Sequence, residues 1–262
     1  MPTFKLTLAY DGTAYAGWQV QAPGRLAVQE VVERAIATII GQQVRVMASG
    51  RTDAGVHALG QVISFRTARD LKPEVLVRAM NAHLPGDIAV LDAQIVSDDF
   101  HATLSATRKR YRYAIHNHPI RDVFRRHTSW HYPRPLDVPA MHQAAQALRG
   151  THDFRSFQTS GSERQSTVRT IFDIEVRRGS GEERHMVYIE VEADGFLYNM
   201  VRAIVGTLVD VGRGRHEPAW VAEVLASRDR RLAGRTAPAH GLCLLRVDYG
   251  GRDGPPECLS LQ

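Results

Sequence analysis

Apolar and polar residues alternate from residue 4 to residue 10, which predicts a strand, and the alternation stops at Asp11-Gly12, a turn signal. Over 26–40 the apolar positions Val28, Val31, Val32, Ala35, Ile36 and Ile39 return at helical spacing, and Gly41 supplies the stop. Strands are expected at 44–48 and 61–66, with a glycine-punctuated loop at 50–60 between them. Residues 73–84 read as a helix with Pro73 in its first turn and Pro85-Gly86 behind it. A strand at 88–96 closes this first set.

A second set follows. Residues 110–117 predict a strand in which Arg and aromatic residues alternate, and 137–148 a helix ended by Gly150. The polar stretch 151–170 predicts a long loop, a length that often carries function. Residues 171–178 and 185–193 predict a hairpin around Gly179-Ser180-Gly181. Helices are expected at 200–211 and 219–226 and a last strand at 242–249. The sets divide the chain into halves, 1–105 and 106–249, with a Gly- and Pro-rich tail at 250–262. Both halves contain a strand ending in Asp-Gly (Asp11-Gly12 and Asp194-Gly195), a faint internal echo. Hairpins in mixed order favour an α+β class with antiparallel sheets over a doubly wound parallel sheet.

Composition adds a partner class. The 262 residues are 44 % hydrophobic and 23 % charged, enough apolar residue to bury a sizeable core. The net charge is +5, and it is concentrated. Between 108 and 134 stand Arg108, Lys109, Arg110, Arg112, Arg121, Arg125, Arg126 and Arg134 against one acid, Asp122. Such a focus suits a polyanion. Two cysteines, Cys243 and Cys258, indicate neither a disulfide framework nor a zinc site. The start reads as no signal peptide, and no apolar run reaches membrane-spanning length. The cytoplasm is the expected location.

Three segments could carry chemistry. Gly50-Arg51-Thr52-Asp53-Ala54-Gly55-Val56-His57-Ala58-Leu59-Gly60 packs three glycines around an Asp, an Arg and a His, but lacks the Lys and Ser/Thr of a triphosphate loop. Asp53 is either a functional carboxylate or a turn residue bonding its own backbone. Asp53 and His57, four apart, could share a metal, although no third ligand is near in sequence. In Arg110-Tyr111-Arg112-Tyr113 the tyrosines fall on one face of the strand and the arginines on the other. That suits either an extruded base with flanking phosphates or a core tyrosine pair with solvated arginines. Arg202 enters an apolar helix start. It is either buried against a carboxylate or turned to solvent.

Together the segments resemble the TruA family of tRNA pseudouridine synthases. The matching blocks run almost end to end: Tyr10-Asp11-Gly12 with Tyr15, Gly17, Trp18 and Gln19; 50–57; 81–88; Asp99-Phe100-His101-Ala102; 105–113; Asp153-Phe154 with Ser156-Phe157; 196–206; and Gly241-Leu242. The resemblance implies Asp53 as the catalytic nucleophile, Tyr111 stacked on the target base, Arg202 paired with the aspartate and Arg51 shaping the pocket. It implies two similar halves with RNA-recognition-motif-like sheets around a basic cleft, a homodimer, no cofactor, no metal, and uridines 38, 39 and 40 of the tRNA anticodon arm as substrates. Arg108, Lys109, Arg110 and Arg112 are expected to contact the RNA backbone. The competing classes are a non-catalytic RNA-binding protein and a metal-dependent nuclease built on Asp53 and His57.

Overall fold

The computed structural model describes residues 1–19, 24, 26–159 and 166–250. Most of the expected tail, and residues 160–165 of the expected loop, lie outside them. The first half runs β1 (Thr3–Tyr10), α1 (Val28–Ile40), β2 (Met47–Ala48), β3 (His57–Arg66), α2 (Pro73–His83) and β4 (Ile88–Val96). The second runs β5 (Ala106–His116), β6 (Trp130–His131), α3 (Val138–Ala145), β7 (Gly150–Asp153), β8 (Val168–Arg178), β9 (Met186–Ala193), α4 (Met200–Gly212), α5 (Trp220–Ser227) and β10 (Leu242–Tyr249).

All these strands join one sheet, ordered β4-β1-β3-β10-β5-β9-β8-β7, with β2 on β3 and β6 on β5. The pairs are antiparallel except β5–β6 and the junction of the halves, where β10 runs parallel to β3 through Cys243↔His57 and Leu244↔Ala58. The fold is therefore α+β, with a large, mainly antiparallel sheet. Within each half the four main strands lie in the order fourth, first, third, second: β4-β1-β3-β2 and β10-β5-β9-β8.

Strand alternation decides which face is covered. In β1, Phe4, Leu6, Leu8 and Tyr10 are buried, while Lys5, Thr7 and Ala9 are half-exposed on the other face. Burying each such aliphatic side chain stabilises by about 1.5–3 kcal/mol. Helix α1 lays Val28, Val32, Ala35, Ile36 and Ile40 into the core, and Gly41 ends it at φ 75°, its N–H on the Ala37 carbonyl. Helix α4 is buried along most of its length. Gly206 lets the 234–237 segment lie across it, because a Cβ there would sit 1.7 Å from the Arg235 carbonyl oxygen. No helix among the described residues is long and apolar enough to cross a membrane.

Two expectations change. The strand expected at 61–66 begins at His57, so the glycine-rich loop is shorter. Gly60 marks a close approach of strands, not a loop: a Cβ would stand 2.4 Å from the Leu245 carbonyl oxygen. The stretch expected as a loop at 151–170 contains β7, paired with β8, and a short 3-10 turn at Arg155–Phe157. Phe154 and Phe157 are fully buried, which anchors this polar-looking segment.

Candidate active site

The Asp53 loop reaches its place through contacts along almost its whole length. Val56 N–H closes a turn on the Asp53 carbonyl at 3.1 Å, with Gly55 at φ 77° in the turn position that demands glycine. The Tyr10 hydroxyl, at the end of β1, lies 2.8 Å from Thr52 Oγ1, and Trp18 N–H donates to the Thr52 carbonyl at 3.0 Å. Gln61 donates from Nε2 to the Gly50 carbonyl at 2.9 Å and accepts from the Ser49 hydroxyl at 2.7 Å. Lys109 Nζ donates to the Ser49 carbonyl at 2.6 Å.

His57 fastens the other end. Its Nδ1 accepts from Gly12 N–H at 3.1 Å, and its Nε2 lies 2.8 and 3.1 Å from the carbonyl oxygens of His127 and His240. Asp11 Oδ1 also lies 3.1 Å from Nδ1, so both ring nitrogens are engaged and the imidazole is held in place. Asp53 and His57 share no helical face, because the chain turns between them into β3. Among the described residues no group of three or more His, Cys, Asp or Glu is arranged to hold a metal ion.

The second half supplies the partners. Arg202, in the first turn of α4, places Nη1 3.5 Å from Asp53 Oδ2. The same guanidinium donates to Asn199 Oδ1 and to the Ala237 carbonyl, each at 2.7 Å. Asn199 precedes the helix in the left-handed region at φ 59°, a conformation that Asn tolerates better than most residues. Arg202 is thus the mostly buried alternative of the two left open by sequence, at 18 % side-chain exposure. Burial pushes the Asp53 carboxyl above its ordinary range, and the charge and hydrogen bond of Arg202 offset only part of that.

Tyr111 is 8 % exposed and lies edge-on to Phe196, ring centroids 5.1 Å apart. Burial, and the neighbouring Tyr10 and Asp53, drive its phenol far above the ordinary value, so it stays neutral. Tyr113 shares its face but is a core residue, fully buried with its hydroxyl on the Pro238 carbonyl at 2.8 Å. Arg51 is exposed beside Thr52.

Arg108, Arg110 and Arg112 lie on the opposite face of β5 and meet carboxylates there. Glu190 takes Arg110 Nε at 3.0 Å and Arg112 Nη2 at 2.8 Å; Glu192 takes Arg108 at 3.2 Å and Arg246 at 2.5 Å. Asp173 takes Arg110 Nη2 at 2.8 Å. With Arg177, Glu175 and Asp248, five guanidiniums face five carboxylates. That face is locally neutral, a weak base for contacts to RNA phosphates.

Sequence reading assigned no roles to Tyr10, Gln61, Asn199 and Phe196. Asn199 had a signal, since it stands three residues before Arg202 at the helix start; Gln61 had none, because its partners lie in other elements.

A family model described as tRNA pseudouridine synthase matches residues 7–104 and 144–250. The chain is 51 % identical over 251 residues to a tRNA pseudouridine synthase A of Moorella thermoacetica, covering 95 % of this chain and all of the relative. It is 49 % identical over 249 residues to a protein of the same name from Pelobacter propionicus, with the same coverage. A solved structure of an H/ACA RNP bound to a substrate RNA containing 2'-deoxyuridine aligns with TM-score 0.38 and 14 % identity, over 79 % of this chain and 44 % of that one.

Proposed function

The chain belongs to the tRNA pseudouridine synthase family, and we propose that it isomerises uridines 38, 39 and 40 of the tRNA anticodon stem-loop with Asp53 as its catalytic carboxylate. One observation carries the assignment of the site: a carboxylate from the first half and a guanidinium from the second meet at 3.5 Å, beside a buried tyrosine. The reaction breaks the N1–C1′ bond, rotates the freed uracil and joins C5 to C1′. N1 gains a proton and the C5 proton leaves to solvent. No electrons or phosphoryl groups are exchanged, so the reading needs no cofactor.

Asp53 serves either as nucleophile at the sugar or as the base that starts elimination, and both need it ionised. Arg202 supports that ionised form against burial. Tyr111 offers a neutral ring for the extruded uracil, and extrusion costs about a few kcal/mol. Arg51, at the exposed rim of the loop, is assigned to shaping the entrance.

The halves 1–105 and 106–249 are read as RNA-recognition-motif-like units about a basic cleft, supported by their shared strand order. A homodimer in the cytoplasm completes the reading, carried by the family resemblance.

The test uses tRNA tritiated at uridine C5, with EDTA and no added cofactor. Wild-type protein should release tritium to water and leave the RNA intact. Asp53→Asn should lower release at least about 10³-fold, with tRNA affinity held within a few fold. No release from any tRNA by the wild type would overturn the reading, and RNA cleavage blocked by the chelator would favour a nuclease.

A further inference from the structure

The basic segment divides by how its charge is met. Arg108, Arg110 and Arg112 face the carboxylates of β8 and β9. Arg125 takes Glu183 at 3.1 Å and Asp122 at 3.5 Å, and Lys109 donates to a backbone carbonyl. Arg121 and Arg126 are different, as is the exposed Arg134 at the segment's end. The first two are exposed, and among the described residues neither has a carboxylate at ion-pairing distance. Arg126 Nη1 donates only to the Val123 carbonyl, at 2.6 Å, which fixes the guanidinium without neutralising it.

These two arginines line a cavity of about 450 Å³ together with His116, Ile120, His131 and His240. The acid at its edge, Asp122, is held by its own loop: Oδ1 accepts from the backbone of Phe124 at 2.9 Å and of Arg125 at 3.2 Å. The buried His116 Nδ1 is the one side-chain polar atom among the described residues that is both buried and unpartnered. Phe124, 91 % exposed, and Ile120, 72 % exposed, project from the same loop. Unneutralised guanidiniums beside an exposed aromatic ring are the pairing that single-stranded RNA uses, phosphate on cation and base on ring.

The cavity adjoins the catalytic loop. His240 lines it, and the His240 carbonyl lies 3.1 Å from Nε2 of His57, four residues after Asp53. The His127 carbonyl, just after Arg126, touches the same nitrogen at 2.8 Å. Through these two carbonyls the cavity wall and the catalytic loop meet at His57.

We propose that the cavity is a phosphate subsite for the RNA strand flanking the target uridine, with Arg121 and Arg126 as its cations. The inference rests on the isomerase reading of the Asp53 site, and it moves the phosphate contacts from the paired arginines of β5 to the unpaired ones of the loop beyond it.

The test compares wild type, Arg121→Gln/Arg126→Gln and Arg121→Lys/Arg126→Lys by tRNA binding across a salt series. Each lost phosphate contact lowers the slope of log K against log salt by about 0.7–0.9, so the Gln pair should lose about 1.4–1.8 and, with the two proteins converging near 1 M salt, bind about 25- to 60-fold more weakly at 0.1 M salt. KM should rise with it, kcat should fall less, and the Lys pair should keep most of the slope. An unchanged slope in the Gln pair overturns the proposal. So does a changed oligomeric state at unchanged slope, which would make the loop a contact between copies. Tritium release by the wild type in the same preparation separates the cases: an active enzyme with an unchanged slope removes the subsite alone, and an inactive wild type removes the isomerase reading.

Discussion

The two faces of β5 treat a carboxylate beside arginine in opposite ways. On the open face Glu190 is buried, which alone would raise its carboxyl, but Arg112 and Arg110 more than reverse this and hold it below the ordinary range. On the face that carries Tyr111, Asp53 has one guanidinium, at 3.5 Å, and that guanidinium also serves Asn199 and the Ala237 carbonyl at shorter distances. There burial prevails and the carboxyl is raised. Closed networks of charge fix a structure. A charge left short of partners retains free energy for a substrate, so the residue types matter less than the number of hydrogen bonds each one is given.

The contrast is most exposed at Glu190. Glu190→Gln leaves Arg110 and Arg112 without their shared counter-charge, and Arg110 is mostly buried at 18 % exposure. Unfolding in urea should show a loss of about 3 kcal/mol, more than a hundredfold in the folding equilibrium. The pH dependence has a definite sign. A carboxyl depressed in the folded state contributes stability above its unfolded pKa and loses it as pH falls through the folded value. Wild type should therefore weaken in acid more steeply than the variant. A loss under about 1 kcal/mol would class the network with ordinary surface ion pairs and erase the contrast between the faces.

How much of this was legible in the sequence follows from the range of each interaction. Alternation along β1 and the apolar spacing of α1 and α4 are local, and they placed those elements within a residue or two. The opposed faces of Tyr111 and Arg110 were legible for the same reason. The roles of Asp53, Tyr111 and Arg202 came from the family resemblance; spacing alone left each with two readings. Neutralisation of Arg110 and Arg112 was hidden. It depends on β9 pairing β5 in the register Arg110↔Glu192 and Arg112↔Glu190, across about 80 residues of chain. Gly60 misled because a glycine in a close-packed strand looks, in sequence, like a glycine in a loop.

Arg202 probes the under-partnered side. Its charge is the main influence opposing burial at Asp53, so Arg202→Gln should raise that carboxyl further. On the proposed mechanism only the ionised form reacts, so activity is lost as pH falls through the folded value, and a higher value moves the acid limb of kcat/KM upward. At neutral pH the variant should be about thirtyfold slower, since it also loses the bond to the Ala237 carbonyl. Arg202→Lys, which keeps the charge but not the fork, should leave the limb near its wild-type position. If Gln and Lys variants give superimposable pH profiles, the guanidinium is a structural clamp and the electrostatic contrast fails at this residue.

Tyr111 gives the smallest effect and the finest discrimination. Its hydroxyl makes no hydrogen bond to another described residue, and burial together with Tyr10 and Asp53 keeps the phenol neutral. A neutral phenol without a protein partner is a poor proton carrier, and the ring is what it offers to a base. Tyr111→Phe retains the ring and its edge contact with Phe196, so single-turnover tritium release should fall less than about tenfold. Tyr111→Ala removes the stacking surface, worth about 1–3 kcal/mol per base, and should fall well below the Phe variant. A Phe variant as slow as the Ala variant would mean that the hydroxyl acts on the substrate. In that case the active face of β5 works through a positioned donor as well as through an under-paired carboxylate.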